Sequence, residues 1–288
     1  MNLHNMSEEE KIELAANTTD PEVLEKLSTD GSASVRRYVA EHPSCPPHVL
    51  EKPLSKDRNE YVRASVAGNK NCPPHVLEKT LSTDSFWVVR RSVAENENCP
   101  PHVLEEPLSK DKNEEVRKAV AEHPSCPPHV LEKPLSKDKN EYVREAVAGN
   151  KNSPLSALLR LFSEFKYDVK ENPNYINCDA SELLSYVNHE DFSVRAGVAA
   201  NPKCPPQALI NLCDDPNKEI REEAIDNPRA FDIPQIAEKL KAFNKKTINE
   251  YTKTKIPKNL NAPFHLHKSI NTDLELLLAL HKYLTKEN

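Results

Sequence analysis

Apolar residues in this chain recur in a frame that can be laid over itself. Val62, Val66 and Asn69 stand at i, i+4 and i+7, the one-sided stripe of an α-helix. The frame around them, Val-Arg-x-x-Val-Ala-x-Asn, returns almost intact at Val35, Val89, Val116 and Val143, so that five starts are spaced 27 residues apart. Weaker copies begin at Phe165, Val194 and Ile220, and a vestige lies near Glu10. One helix per unit is therefore predicted, regular in the middle of an array and degenerate at ends that face water instead of a neighbour.

A second apolar stripe follows each first one. Cys45-Pro-Pro-His-Val-Leu-Glu51 recurs at Cys72, Cys99 and Cys126. Two prolines open a helix there at no cost, because first-turn amides lack intrahelical partners. Val49, Leu50 and Leu54 are its inward face, and Pro53, Pro107 and Pro134, with Thr80 in one copy, interrupt it after about one and a half turns. This second element is predicted to be short and partly 3₁₀.

Residues between the stripes set the expected ends. Asp57-Arg-Asn-Glu60, repeated at Asp111 to Glu114 and Asp138 to Glu141, has the form of a capping box. Asp215-Pro216 reads as the same start with proline in the first helical position. Asn69, Asn96, Asn150, Asn172, Asn201 and Asn227 occupy the place where a helix commonly closes in a left-handed residue. Pro43, Pro124, Pro173, Pro202 and Pro228 follow that place in other copies and block continuation.

The combination of Val-Arg-x-x-Val-Ala-x-Asn, Cys-Pro-Pro-x-x-Leu and Leu-Ser-x-Asp resembles the leucine-rich repeat variant family of bacteria, over roughly residues 10 to 230. That resemblance implies an all-α fold: a right-handed α-solenoid superhelix of alternating short α- and 3₁₀-type helices with no β-sheet. The period here exceeds the family's, which implies a longer loop before each first helix. Some relatives carry an N-terminal iron–sulphur segment, but no cysteine precedes Cys45, so none is carried over. The expected organisation is an array of about nine units over 1–240, a Lys/Asn-rich linker or strap over 241–270, and a capping helix over 271–288 with Leu274, Leu277, Leu278, His281 and Leu284 on one face. The segment from Val35 to Asn71 nearly duplicates that from Val116 to Asn152, so duplication alone accounts for the identity of the copies.

Composition changes this picture little. Four glycines against 24 prolines suit short helices punctuated by proline rather than a sheet with glycine turns. A net charge of −6 makes no global case for nucleic acid or an anionic membrane. No opening basic-then-apolar segment stands at the start, and no apolar run approaches the ~18 residues of a membrane span, so a soluble cytoplasmic protein is expected. The once-per-unit cysteines should be free thiols, since stacked helices lie about 8–10 Å apart, beyond disulfide reach.

Candidate chemistry is sparse. Cys45 and His48 have a zinc-like C-x-x-H spacing, but each unit lacks two further ligands, and Ser153 and Gln207 replace the pair elsewhere. A small buried thiol is the expected role, with no metal and no cofactor. No glycine-rich phosphate loop, G-x-S-x-G or H-E-x-x-H motif occurs, so no enzyme is expected. Arg36, Arg63, Arg90, Arg117, Arg144, Arg195 and Arg221 form a column that either braces neighbouring units or lines a groove facing a phosphate or carboxylate polymer. Phe86-Trp87 interrupts the uniform repeats, as a recognition anchor or a loop filler. The expected role is a scaffold for a protein partner, the column and the aromatic pair being its possible binding surface. The alternative is a nucleic-acid binder using the arginines and the segment from Lys239 to Lys268.

Overall fold

The structure, a computed structural model, describes residues 3–106 and 108–236. The expected linker over 241–270, the capping helix over 271–288 and Pro107 lie outside these residues. Among the described residues the chain is all-α with no strand, as the stripes predict.

The leading helix of each unit is α1 (Glu8–Asn17), α2 (Ala33–Glu41), α3 (Glu60–Gly68), α4 (Trp87–Glu95), α5 (Glu114–Glu122), α6 (Glu141–Gly149), α7 (Lys166–Glu171), α8 (Phe192–Ala200) and α9 (Lys218–Asp226). From α1 to α6 each packs on the next, which turns the stripe of one helix into one wall of a continuous core. Val35, Val39, Val62, Val66, Val89 and Val93 are fully buried, as are Ala40, Ala67 and Ala94 beside them. Each such valine contributes about 1.5–3 kcal/mol on burial. Short second helices cover the other side, with Val49 and Leu50, Val76 and Leu77, and Val103 and Leu104 turned inward.

The second element closes in two ways. Pro47–Glu51 and Pro101–Glu105 are each followed by a 3₁₀ turn, Leu54–Lys56 and Leu108–Lys110. Pro74–Val76 and Pro128–Val130 instead run into π turns, Leu77–Leu81 and Leu131–Leu135, sealed by Ser82 N–H to Leu77 O at 2.9 Å and Ser136 N–H to Leu131 O at 3.1 Å. Both forms bring the same leucine, Leu54, Leu81, Leu108 or Leu135, into the core. The next serine then donates to the carbonyl four residues back in every copy. Proline at the equivalent position is compatible with both closures, Pro53 preceding a 3₁₀ turn and Pro134 lying within a π turn, and the leucine sets where either must arrive.

Three expected ends are corrected. Asn59, Asn113 and Asn140, not the aspartates two residues earlier, are the N-caps, their side chains accepting N–H groups of the first helical turn. Asn217 likewise caps α9, leaving Pro216 outside the helix. The asparagines after the helices are not left-handed: no described non-glycine residue has positive φ, and Asn69 sits at φ −75°, ψ 127°. Their side chains are used instead. Asn69 Nδ2 donates to Ala40 O at 2.7 Å and His42 O at 3.0 Å, and Asn96, Asn150, Asn172 and Asn227 repeat this against their own preceding units. Buried carbonyls at each helix end are thereby satisfied across the unit boundary.

Regularity breaks after α6, where the sequence spacing shortens. There the helix Leu155–Leu161 is buried and packs against both α6 and α8. Contact with α8 is so close that a Cβ on Gly197 would stand 2.8 Å from Leu159 Cδ2. Tyr175 locks the junction, stacking on Phe162 with centroids 6.0 Å apart and donating its hydroxyl to Gly197 O at 2.7 Å.

Candidate interaction face

The arginine column forms a ladder within the protein. Arg36 grips Asp57 of the next unit with Nε to Oδ2 at 2.6 Å and Nη2 to Oδ1 at 2.9 Å, while Nη1 donates to Asp30 O at 2.8 Å. Arg63 holds Asp84, Arg90 holds Asp111, Arg117 holds Asp138 and Arg195 holds Asp215 in the same bidentate way. Arg144 takes Glu164 instead, and Arg221 donates to the Asp215 and Pro216 carbonyls. Lys11 with Asp30, at 2.9 Å, opens the series. Burial pushes the aspartate carboxyls up, but the guanidinium and an Asx-turn amide outweigh it and hold Asp57, Asp84, Asp111, Asp138 and Asp215 below their ordinary value. Each aspartate is thus a joint between units. Its fork toward arginine and its turn toward the following N–H come from one side chain.

The Cys-Pro-Pro-His block divides between two environments. Cys45, Cys72, Cys99 and Cys126 are buried free thiols, which burial pushes up to about 12. The histidines are exposed and reach back to the preceding unit: His75 Nε2 lies 3.4 Å from Glu51, His102 3.4 Å from Glu78, and His129 3.4 Å from Glu105. Thiol and imidazole of one block therefore do not converge. Among the described residues no group of three or more His, Cys, Asp or Glu side chains is placed to hold a metal ion.

Exposed apolar side chains are concentrated on the leading helices. Of nine large ones among the described residues, Tyr38, Tyr61, Phe86, Trp87, Tyr142, Tyr167 and Phe192 lie on leading helices or at their starts. Phe86 stands where the neighbouring units have a capping asparagine, so α4 has no side-chain N-cap. Its ring lies 5.5 Å from the Arg63 guanidinium, a cation–π contact on the outer edge of a ladder rung. Phe86 and Trp87 remain 45% and 42% exposed, so they do not fill the core.

Across α2, α3 and α4 the surface dips into a cleft of about 540 Å³ lined by Arg37, Glu41, Tyr61, Ala64, Ser65, Gly68, Asn69 and Ser92. Small residues of α3 make its floor. Arg37 and Ser65 both donate to Glu41, at 2.7 and 3.0 Å, which fixes one wall. A Cβ on Gly68 would meet nothing within 4 Å, so its glycine is not demanded by packing. The repeat pattern singles out Phe86 and Trp87 as exceptions and gives no sign of the cleft. Tyr61, Ser65 and Gly68 carry no signal of their own until α2 and α4 are placed on either side.

Fold and face together define an all-α repeat protein with a bare, aromatic-bearing row. No family model matches the chain, and no curated protein matches it. Among solved structures it is similar to a leucine-rich repeat variant with a novel repetitive structural motif, at 25% identity and a TM-score of 0.45, over 72% of this chain and 81% of that one. It is also matched to an engineered protein at 16% identity and a TM-score of 0.32, over 85% of this chain and 79% of that one. No helix among the described residues is long and apolar enough to cross a membrane.

Proposed function

We propose that this chain is a non-enzymatic cytoplasmic scaffold that holds a protein partner along the row of leading helices, with Phe86 and Trp87 as the anchor. The observation that carries this reading is the missing cap on α4. An asparagine there would stabilise the helix by about 1 kcal/mol, yet the position holds an exposed phenylalanine followed by an exposed tryptophan. A local rule broken without a packing gain is the mark of a functional position. Aromatic side chains are also the commonest anchors of protein interfaces. A free thiol in unit after unit supports a reducing compartment.

The arginines serve the same role indirectly, by fixing the spacing of the helices that display the row. A nucleic-acid role would need them turned outward, but the forks of Arg36, Arg63, Arg90, Arg117, Arg144 and Arg195 are already filled by carboxylates. The segment from Lys239 to Lys268 lies outside the described residues. Photo-crosslinking in the native host tests the proposal, with the reactive group placed at Trp87 or, on the second row, at His102. One protein captured from Trp87 and not from His102 is expected. Nucleic acid captured from Trp87, or equal capture from both positions, contradicts it.

A further inference from the structure

We infer that the partner is an extended, lysine- or arginine-bearing polypeptide segment that crosses α3 to α6 at right angles to the helices. The inference rests on the scaffold reading and adds the chemistry of the occupant. Along the first turns of these four helices the paired positions read Glu60-Tyr61, Trp87-Val88, Glu114-Glu115 and Glu141-Tyr142, with Glu145 one turn further on. Exposed rings therefore alternate with carboxylates along the row.

The cations on these helices are already engaged by other carboxylates. Arg91 and Lys118, the cations on the same helices' exposed sides, are each closed by a glutamate one turn later, Glu95 at 2.7 Å and Glu122 at 2.8 Å. Glu60, Glu114, Glu115, Glu141 and Glu145 make no ion pair within 4 Å among the described residues; the cations that Glu60, Glu114, Glu115 and Glu141 act on, Arg63, Arg117, Lys118 and Arg144, are each already held by another carboxylate. The basic loop residues Arg58, Lys112 and Lys139 precede the N-caps and stand at the rim of the row. The aspartates of those loops do not add to it, being held inward by the ladder. What the helix starts offer is exposed rings together with carboxylates that make no close ion pair, and the side chain that uses both is a cation with an aliphatic stem. Helices stacked about 8–10 Å apart match every third residue of a chain in the extended polyproline II form, which rises about 3.1 Å per residue and returns to the same face every three residues. Basic residues in the partner should recur with that period.

Trp87, the chain's single tryptophan, stands inside the row and reports its occupancy by fluorescence. The full chain is titrated with a Lys-Ser-Gly repeat peptide, with its Glu-Ser-Gly counterpart, and with a peptide of equal composition whose lysines are clustered. Saturable change with the first, weaker response to the clustered peptide and none with the acidic one are expected. Tyr61→Ala with Tyr142→Ala, and separately Glu145→Lys, should each weaken binding by about tenfold. Glu222→Lys on α9 makes the same change in net charge away from the row and should leave binding unaltered. Equal weakening by Glu145→Lys and Glu222→Lys, or no response of Trp87 to the lysine peptide, overturns the inference. Saturation by the acidic peptide overturns the partner's chemistry while leaving the scaffold reading standing. A dimer lost in Trp87→Glu assigns the row to a second copy and overturns it as well.

Discussion

At the residue scale the ladder turns one sequence position into the main joint of the molecule. Asp84 accepts two hydrogen bonds from Arg63 of the preceding unit and one from the Phe86 amide of its own. Removing either partner leaves the other half-buried and unpaired, which costs about 3 kcal/mol or more. Arg63→Ala and Asp84→Asn should each lower the melting temperature by roughly 10 °C in calorimetry. Because the five ladder aspartates titrate below their ordinary value of 3.8, their stabilisation is complete above that pH and is lost as pH falls through the lower folded values. Circular dichroism should therefore show acid unfolding that begins below about pH 4, with a shallower dependence in Asp84→Asn.

The arginine side of the joint was readable as a column. Its partner was not, because Asp57 and its equivalents also look like helix caps, and only the stagger between units decides between the two roles. Asn69 was misread for a related reason. A position after a helix suggests a local closure, whereas this side chain bonds the preceding unit's carbonyls. Phe86 was legible as an exception. Phe86→Asn should raise the melting temperature by restoring a cap worth about 1 kcal/mol, and should also abolish the crosslink from Trp87.

At the scale of the element, helix ends and close contacts set what glycine is for. Gly68 and Gly149 close α3 and α6 with open space around them, and helical glycine costs about 1 kcal/mol relative to alanine. Gly197 lies in the middle of α8 against Leu159 and Phe162. The same substitution should thus have opposite effects: Gly68→Ala stabilises by up to about 1 kcal/mol, whereas Gly197→Ala destabilises by about 1–3 kcal/mol in denaturant unfolding. Leading helices were legible because a period of 3.6 with a buried face is hard to mistake. Second elements were legible only as short, since Pro53 and Pro134 stand in equivalent positions yet end in 3₁₀ and π turns.

At the scale of the whole molecule, Arg-Asp rungs from Arg36 to Arg117 and Asn-carbonyl bonds from Asn69 to Asn172 tie successive units together, and the leading helices carry exposed aromatic side chains. The once-per-unit thiols lie in the core. Alkylation of native protein at neutral pH should spare the buried Cys45, Cys72, Cys99, Cys126 and Cys204, whose thiols burial has pushed up to about 12, and denaturation should release them. The array was legible from the frame alone. The face was not, because exposure depends on how far each unit turns against the last.

Hydroxyl-radical footprinting of the full chain with its crosslinked partner tests the central claim most directly. Tyr61, Trp87 and Tyr142 should be protected on binding while His75 and His102 on the second row stay reactive. Protection of the histidines with the aromatic row unchanged would contradict the account.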